Sequence, residues 1–248
     1  MEPIYSQKFE ISDLCVDCFG RLKSSMLLYF AQEAAGQHCI RLGLPWEHLA
    51  ERGLFWAVIR HRIQVERLPM RGETITVTTW PMPTTRVAYP RALEATDEQG
   101  NVLFRIVSLW VLMDLNTRAM VLPGKSGVEV NGTLRGTELA VPGSLVPKNL
   151  SGLAERKVHY SQLDRNGHMN NTKYLEFAED LLPAGFHSTH VLKECVLCYL
   201  SEVREGQILE LGWEMDENGC LQTDIRRKNE DKAERVFSAR MVYERIIL

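Results

Sequence analysis

The sequence lacks long apolar runs and any strong excess of charge of one sign. Its longest nearly apolar stretch, Ile106 to Met113, is far too short to cross a bilayer. The start of the chain has neither the basic nor the apolar segment of a secretory signal. Lys and Arg number 29 against 32 Asp and Glu, and this net charge of −3 does not suggest nucleic-acid binding. We therefore expect a cytoplasmic protein with no membrane insertion and no nucleic-acid partner.

Cysteine is also infrequent, with six residues that include two C-x-x-C pairs. Such pairs can bind zinc. Cys195 and Cys198, however, lie in a stretch with the pattern of a buried strand, and residues three apart on a strand face opposite sides. We therefore interpret them as buried thiols and expect no metal site.

An internal repeat organises the rest of the chain. The segment from Val16 to Ala31 matches the segment from Leu163 to Ala178, 147 positions later. Farther along, Val65 to Glu73 matches Tyr199 to Gln207 at an offset of 134, so the second copy is 13 residues shorter in between. That difference is about the size of a segment around Trp46, which the second copy lacks.

The repeat predicts two domains and a linker. We assign the N-terminal domain to residues 1–115, a linker rich in Gly and Pro to 116–153, and the C-terminal domain to 154–248. In each copy a strand precedes a central amphipathic helix, and further strands follow. A sheet that wraps around such a helix buries the helix's apolar stripe and one sheet face together. The predicted fold class is therefore α+β, with two tandem domains of this kind.

In copy one we expect a strand over 8–16, a central helix over 26–42 capped by Ser24 or Ser25, and a short helix over 46–52. The further strands of copy one are predicted at 55–66, 74–81, 86–96 and 102–115.

In copy two we expect the central helix to follow Asn171 and to end at Pro183 and Gly185. His187 and His190 are expected in a solvated loop after it. The strands of copy two are predicted at 191–200, 208–215, 220–228 and 234–246.

The clearest functional signal is the turn that enters the helix of copy two. Asp164, Asn166, His168, Asn170 and Asn171 bring a carboxylate, an imidazole and three amides together within eight residues. A single Asp or Asn would most often serve only as a helix cap. Because one cap suffices, five such residues indicate a functional site. The helix N-terminus there could also bind an oxyanion.

The two copies differ at the positions that could carry chemistry, while the Asp and the Gly of the turn are common to both. Copy one has Phe19 in place of Asn166, Arg21 in place of His168 and Leu68 in place of Glu202. A purely structural role would predict the same residues in both copies, so we assign catalysis to copy two and a lid or an apolar pocket to copy one. A Glu before a turn is usually only a solvated charge. The Leu at its counterpart nevertheless suggests a buried carboxylate that could act as a base.

The pattern D-x-N-x-H-x-N-N-x-x-Y from Asp164 to Tyr174, with Y-x-x-E from Tyr199 to Glu202, resembles the acyl-acyl-carrier-protein thioesterases of bacteria and plant plastids. The resemblance implies two hotdog domains and hydrolysis of the thioester between a fatty acyl chain and the phosphopantetheine arm of acyl carrier protein. It also suggests a homodimer. Many plant members have a Cys after the Glu, where this chain has Val203, so a thiolate mechanism through that position is excluded.

The resemblance implies a site of Asp164, Asn166, His168 and Glu202 that needs no metal and no cofactor. Our hypothesis is that Glu202 and His168 deprotonate a water while Asn166 holds the water or the thioester carbonyl. Asp164 fixes the turn, and the backbone N–H groups of Met169 and Asn170 receive the oxyanion. In a variant mechanism, Asp164 itself is the base or the nucleophile.

Three other functions are considered. The first is an acyl-CoA thioesterase of the same fold; an enzyme specific for the acidic carrier protein should instead have a basic rim. Candidates for that rim are Arg60, His61, Arg62, Arg67, Arg71, Arg86 and Arg91. The second is a non-catalytic acyl-binding module, which the complete set of polar groups in copy two disfavours. The third is a hydratase, which would need an acid/base pair on the helix.

Overall fold

The computed structural model describes residues 3–146, 148, 150–228 and 233–246, which form two compact units. One unit comprises Met1–Lys23 and Tyr29–Pro142, and the other comprises Ser24–Leu28 and Gly143–Leu248. Of the predicted linker, Pro147 and Asn149 lie outside the described residues.

The N-terminal unit contains a sheet of five long antiparallel strands in the order β1-β3-β4-β5-β2, with the short β6 paired to β5. Its strands are β1 (Tyr5–Glu10), β2 (Leu54–Val65), β3 (Thr74–Pro81), β4 (Tyr89–Thr96), β5 (Val102–Asp114) and β6 (Met120–Val121). The helices of this half of the chain are α1 (Ser24–Arg41), α2 (Trp46–Glu51) and α3 (Pro123–Ser126).

The C-terminal unit has the equivalent antiparallel order, β7-β9-β10-β11-β8. Its strands are β7 (Gly152–Lys157), β8 (His190–Tyr199), β9 (Ile208–Met215), β10 (Cys220–Arg227) and β11 (Glu234–Arg245). Its helices are α4 (Asn171–Glu179) and α5 (Ala184–Thr189). In each unit the strand that precedes the central helix pairs with the second of the four strands that follow it. The shared order confirms the α+β class and the internal repeat.

The apolar stripes predicted from the sequence form the core. On α4 the buried residues are Tyr174, Leu175, Phe177 and Ala178, which is the i, i+1, i+3, i+4 set of one helix face. On β3 the side chains of Ile75 and Val77 are fully buried while that of Thr76 between them is not, as expected for a sheet with one face toward the core.

The entry into α1 differs from the prediction. Strand β1 ends at Glu10, and a short 3-10 turn over Asp13–Cys15 follows, so the predicted strand over 8–16 is wrong. Lys23 occupies the N-cap of α1, which receives no side-chain hydrogen bond. Ser24 and Ser25 are therefore not caps; both are buried within the first turn of the helix.

The segment after α4 also differs. Pro183 does not close a long helix, because α4 already ends at Glu179 and Pro183 is the N-cap of α5. Proline suits a helix start, where its missing N–H costs no hydrogen bond. His187 lies in α5, and His190 is the first residue of β8, stacked on the ring of Phe186 at 4.2 Å. The prediction of a solvated loop for these histidines is wrong.

Side chains of each unit form hydrogen bonds with the predicted linker. In the N-terminal unit, Trp80 donates its indole N–H to Glu138 at 2.9 Å. In the C-terminal unit, the Arg235 guanidinium donates to the Leu145 carbonyl at 3.2 Å and pairs with Asp224 at 2.7 Å. No helix within the described ranges is long and apolar enough to span a membrane.

Candidate active site

The turn that enters α4 is built by Asp164. Its Oδ1 accepts the backbone N–H of Asn166 at 2.8 Å and that of His168 at 3.4 Å. The Asp164 N–H donates to the His168 carbonyl at 2.8 Å. Gly167 has φ +75°, a conformation in which a side chain would be strained. The turn therefore fixes the backbone on both sides of His168.

The same turn occurs in the N-terminal unit. Asp17 Oδ1 accepts the backbone N–H of Phe19 at 2.8 Å and that of Arg21 at 2.9 Å, and Gly20 has φ +76°. The second carboxylate oxygen distinguishes the copies, since Asp17 Oδ2 accepts from the Arg21 guanidinium at 3.0 Å. Forming the turn is thus common to both Asp residues and independent of any chemistry.

His168 and Glu202 lie against each other in the C-terminal unit. The distance from His168 Nε2 to Glu202 Oε2 is 3.1 Å. The His168 side chain is 9% exposed and that of Glu202 is 39% exposed, so the predicted burial of the carboxylate is only partial. A half-open carboxylate hydrogen-bonded to a buried imidazole can exchange a proton with water.

The two backbone N–H groups predicted to receive the oxyanion already have hydrogen-bond partners. The Met169 N–H donates to the Val203 carbonyl and the Asn170 N–H donates to the Gln162 carbonyl, each at 2.8 Å. Assigning these N–H groups as oxyanion donors is therefore wrong for this arrangement. The counterpart bonds in the N-terminal unit join Leu22 to Pro69 at 2.8 Å and Lys23 to Cys15 at 3.0 Å. Both bonds belong to the shared fold, which a sequence pattern cannot show.

The other polar residues of the turn have different environments. Asn166 is exposed, and its Nδ2 is 3.5 Å from Asp164 Oδ2. Asn170 is the N-cap of α4, and its Oδ1 accepts from the Thr172 N–H at 2.9 Å. For Asn170, capping is therefore the role that the structure gives.

Aromatic rings line the buried side of the site. Tyr174 stacks on Phe237 at 4.9 Å and meets the ring of Tyr199 edge-on at 5.7 Å. Burial raises the pKa of the Tyr174 hydroxyl, with the nearby carboxylates of Glu202 and Asp164 adding to that effect and Arg227 opposing it. Tyr174 is accordingly a neutral phenol within electrostatic reach of both site carboxylates. The Tyr199 hydroxyl donates to the Asn171 carbonyl at 3.2 Å.

Arg227 is the residue near the site that the sequence did not indicate. Its Nη1 donates to the backbone carbonyl of Glu202 at 3.0 Å, and its guanidinium pairs with Glu234. No sequence motif marks it, because β10 approaches the Glu202 turn only in the folded unit.

The predicted basic rim of the N-terminal unit is smaller than expected. His61 is 1% exposed and Arg91 is 9% exposed, so neither can meet a partner. Arg67 pairs with Glu73 at 2.6 Å.

Cys195 and Cys198 are buried thiols, and burial raises the pKa of Cys195. Among the residues described, no group of three His, Cys, Asp or Glu could hold a metal ion.

Solved structures with the same fold identify the class. An acyl-ACP thioesterase from Bacteroides thetaiotaomicron superposes with a TM-score of 0.87 at 24% identity, covering 98% of each chain. The 12:0-ACP thioesterase from Umbellularia californica gives a TM-score of 0.83 at 21% identity, covering 99% of each chain. At these identities the likeness establishes the fold, which is that of the α+β double-hotdog proteins.

The family follows from the sequence comparisons. The family model of the acyl-ACP thioesterase N-terminal domain matches residues 2–122, and that of the C-terminal domain matches residues 148–243. The chain belongs to the acyl-ACP thioesterase family. A chloroplastic palmitoyl-acyl carrier protein thioesterase of Gossypium hirsutum is 27% identical over 222 residues, which are 84% of this chain and 54% of the relative. The chain thus spans about half the length of the curated relatives it matches.

Proposed function

We propose that this protein hydrolyses fatty acyl thioesters of acyl carrier protein, releasing the free fatty acid and the carrier's phosphopantetheine thiol. The observation that carries the proposal is the 3.1 Å contact between His168 Nε2 and Glu202 Oε2, beside the turn that holds the family motif. Membership of the acyl-ACP thioesterase family supports the substrate class.

In the proposed mechanism, the His168–Glu202 pair removes a proton from a water as the water oxygen attacks the thioester carbonyl carbon. When the tetrahedral intermediate breaks down, the carbon–sulfur bond is cleaved and the pair returns the proton to the leaving sulfur. Proton transfer of this kind contributes about 10²–10⁴ in rate. The partial exposure of Glu202 supports a role in contact with water.

A different donor has to replace Met169 and Asn170 in stabilising the oxyanion. Asn171 opens α4. Among the described residues, its N–H has no hydrogen-bond partner. It lies at the positive end of the helix dipole. We assign this N–H, together with the exposed Asn166 amide, to the developing oxyanion or to the attacking water.

Asp164 is assigned a supporting role rather than that of base or nucleophile. Its Oδ1 makes the two backbone contacts that Asp17 makes in the copy without a site. Asp164→Asn is expected to lower kcat less than Glu202→Gln does. A greater loss for Asp164→Asn, in a variant that unfolds like the wild type, would favour the variant mechanism.

The carrier-protein thioesterase is tested against its rivals by one assay series. The release of free thiol from acyl-carrier-protein and acyl-CoA thioesters is measured for acyl chains of graded length. A higher kcat/KM for carrier-protein thioesters is expected. Equal values for both carriers would favour the acyl-CoA thioesterase, and binding without thiol release would favour the non-catalytic module.

We also infer that the N-terminal unit contributes an acyl pocket rather than catalytic groups, because Phe19, Arg21 and Leu68 stand at the site positions. The division into domains 1–115 and 154–248, the cytoplasmic location and the homodimer remain predictions of the same proposal. Light scattering at several protein concentrations tests the dimer.

A further inference from the structure

Among the hydrogen bonds that hold the turn carrying Glu202, two are accepted by the carbonyls of Glu202 and Val203 themselves. The Val203 carbonyl accepts from the Met169 N–H at 2.8 Å. The Glu202 carbonyl accepts from Arg227 Nη1 at 3.0 Å. The Glu202 side chain is 39% exposed and contacts His168, so the position of its carboxylate depends on this contact and on the backbone bonds that hold the turn.

Resting on the function proposed above, we propose that Arg227 is the positioning residue for the Glu202 carboxylate. Arg227 does not touch the reacting atoms. Through its bond to the Glu202 carbonyl, it holds the main chain from which the carboxylate reaches His168. Small displacements matter in such a pair, since an error of about 1 Å can cost about 10²-fold in rate.

Arg227 is itself held by an ion pair. Its side chain is 18% exposed, and it pairs across the β10–β11 ladder with Glu234, its partner in register. Hydrogen bonds from the Arg227 guanidinium and from the Ser201 hydroxyl lower the pKa of Glu234. Ser201 directly precedes Glu202, so the ion pair contacts the turn at two consecutive residues.

The N-terminal unit lacks both halves of this arrangement. Val77 and Leu211 are equivalent, because they differ by the repeat's offset of 134. Val77 pairs with Ala95 in β3–β4 and Leu211 pairs with Ile225 in β9–β10, so Ala95 is equivalent to Ile225. The residue two positions after Ala95, Asp97, is therefore at the Arg227 position. Asp97 caps its own turn, where its Oδ1 accepts the backbone N–H groups of Gln99 and Asn101.

Leu68 stands at the Glu202 position, so the copy without the carboxylate also lacks the arginine. A purely structural need for an arginine at the end of this strand would apply to both sheets. The joint occurrence of Arg227 and Glu202 therefore links the arginine to the site.

The test uses kinetics and chemical rescue in the full-length chain. Arg227→Ala is expected to lower kcat about 10- to 100-fold and to change KM less than about 2-fold, because the carboxylate is misplaced while acyl binding is retained. Ethylguanidinium added to Arg227→Ala is expected to restore part of kcat, and Arg227→Lys to lose less than the alanine variant. The matched control is Arg105→Ala, which removes a cross-strand pair with Glu94 at 2.9 Å in the N-terminal sheet.

A second measurement separates positioning from general stability. In a Glu202→Gln background, Arg227→Ala should change the remaining kcat less than about 2-fold, because the group that it positions is gone. A merely structural role predicts the same loss in both backgrounds. Should Arg227→Ala fail to fold, Arg227→Gln is measured in both backgrounds instead.

The possible failures are distinguishable. A wild-type kcat for Arg227→Ala, or an equal loss in the Glu202→Gln background, overturns the role of Arg227 alone, provided that Glu202→Gln itself lowers kcat as expected. If Glu202→Gln retains wild-type turnover, the proposed catalytic pair is wrong, whatever Arg227 does.

Discussion

The entrances to the two central helices have the same backbone and different chemistry. In the N-terminal unit, Asp17 is neutralised by Arg21 at 3.0 Å. In the C-terminal unit the equivalent position is His168, which contacts Glu202 instead. The hydrogen bonds that form the turn are otherwise repeated. The turn is therefore a structural feature of the fold, and the side chains on it, rather than its backbone, distinguish the two copies.

One buried row of side chains is polar in the N-terminal sheet and apolar at the matching positions of the C-terminal sheet. In the N-terminal unit, Arg91, Ser108 and His61 are aligned across three strands, and all are buried. Arg91 Nη1 also lies 3.0 Å from His38 Nδ1 of α1. The matching row of the C-terminal unit is Leu221, Met241 and Cys195, likewise buried. At these matched positions, the copy without the proposed site has polar side chains and the other copy does not, so buried polarity alone does not locate a site.

The largest expected effect is on activity. His168→Ala and Glu202→Gln are each expected to lower kcat/KM about 10²–10⁴-fold, because the proton acceptor is lost. The matched change in the other copy, Arg21→Ala, should leave kcat/KM within about 2-fold. Thiol-release kinetics together with circular dichroism decide the matter. A folded His168→Ala variant with wild-type activity would contradict the assignment of catalysis to His168 of the C-terminal copy.

The next effect concerns acid stability of the N-terminal core. Burial lowers the pKa of His61 from 6.5 to about 3. Between these values the unfolded chain binds a proton that the folded chain does not. As the pH decreases below 6.5, the free energy of unfolding therefore decreases by about 1.4 kcal/mol per pH unit.

His61→Cys, which installs the residue found at this position in the C-terminal row, should remove that slope. Denaturant unfolding at pH 6.5 and 4.5 measures it. An unchanged slope would show that the acid sensitivity arises elsewhere.

A smaller effect tests whether the two turns are equivalent. Gly20 and Gly167 have φ +76° and +75°, and a Cβ at Gly167 would meet no atom within 4 Å. Gly167→Ala and Gly20→Ala should therefore each cost about 1–2 kcal/mol through backbone strain alone. Thermal unfolding measures the loss. Only Gly167→Ala should also reduce kcat, because only this turn orients the imidazole of the proposed catalytic pair.

The smallest effect concerns the helix caps. Asn170 caps α4 with its side chain, whereas Lys23 gives α1 no such bond. Asn170→Ala should cost about 1 kcal/mol, and Lys23→Asn should add up to about 1 kcal/mol. Urea unfolding of both variants checks the opposite signs. Stabilisation by Asn170→Ala would mean that the cap is not needed.

Much of the fold could be predicted because local patterns and the repeat agree. The repeat predicts that the two halves share one architecture, and three strands of the N-terminal sheet lie within two residues of their predicted bounds. The predictions failed where neighbouring backbone decides the outcome. Ser24 and Ser25 resemble caps in sequence, but Lys23 takes that position because its N–H bonds to Cys15. The pattern predicts a helix end at Pro183, but α4 ends at Glu179 and Pro183 is the N-cap of α5.

By itself, the sequence determined the duplication, the α+β class and the identity of the polar residues that distinguish one copy from the other. These properties depend on periodicity and on residue type, both of which are local. Only the tertiary structure decided that Glu202 meets His168, that the Met169 and Asn170 N–H groups are already bonded, and that Arg227 holds the Glu202 carbonyl. The contacts of His168, Met169 and Arg227 join segments far apart in sequence, and the Asn170 contact closes the turn that enters α4. Their geometry is set by strand pairing and turn closure, which no residue type determines by itself.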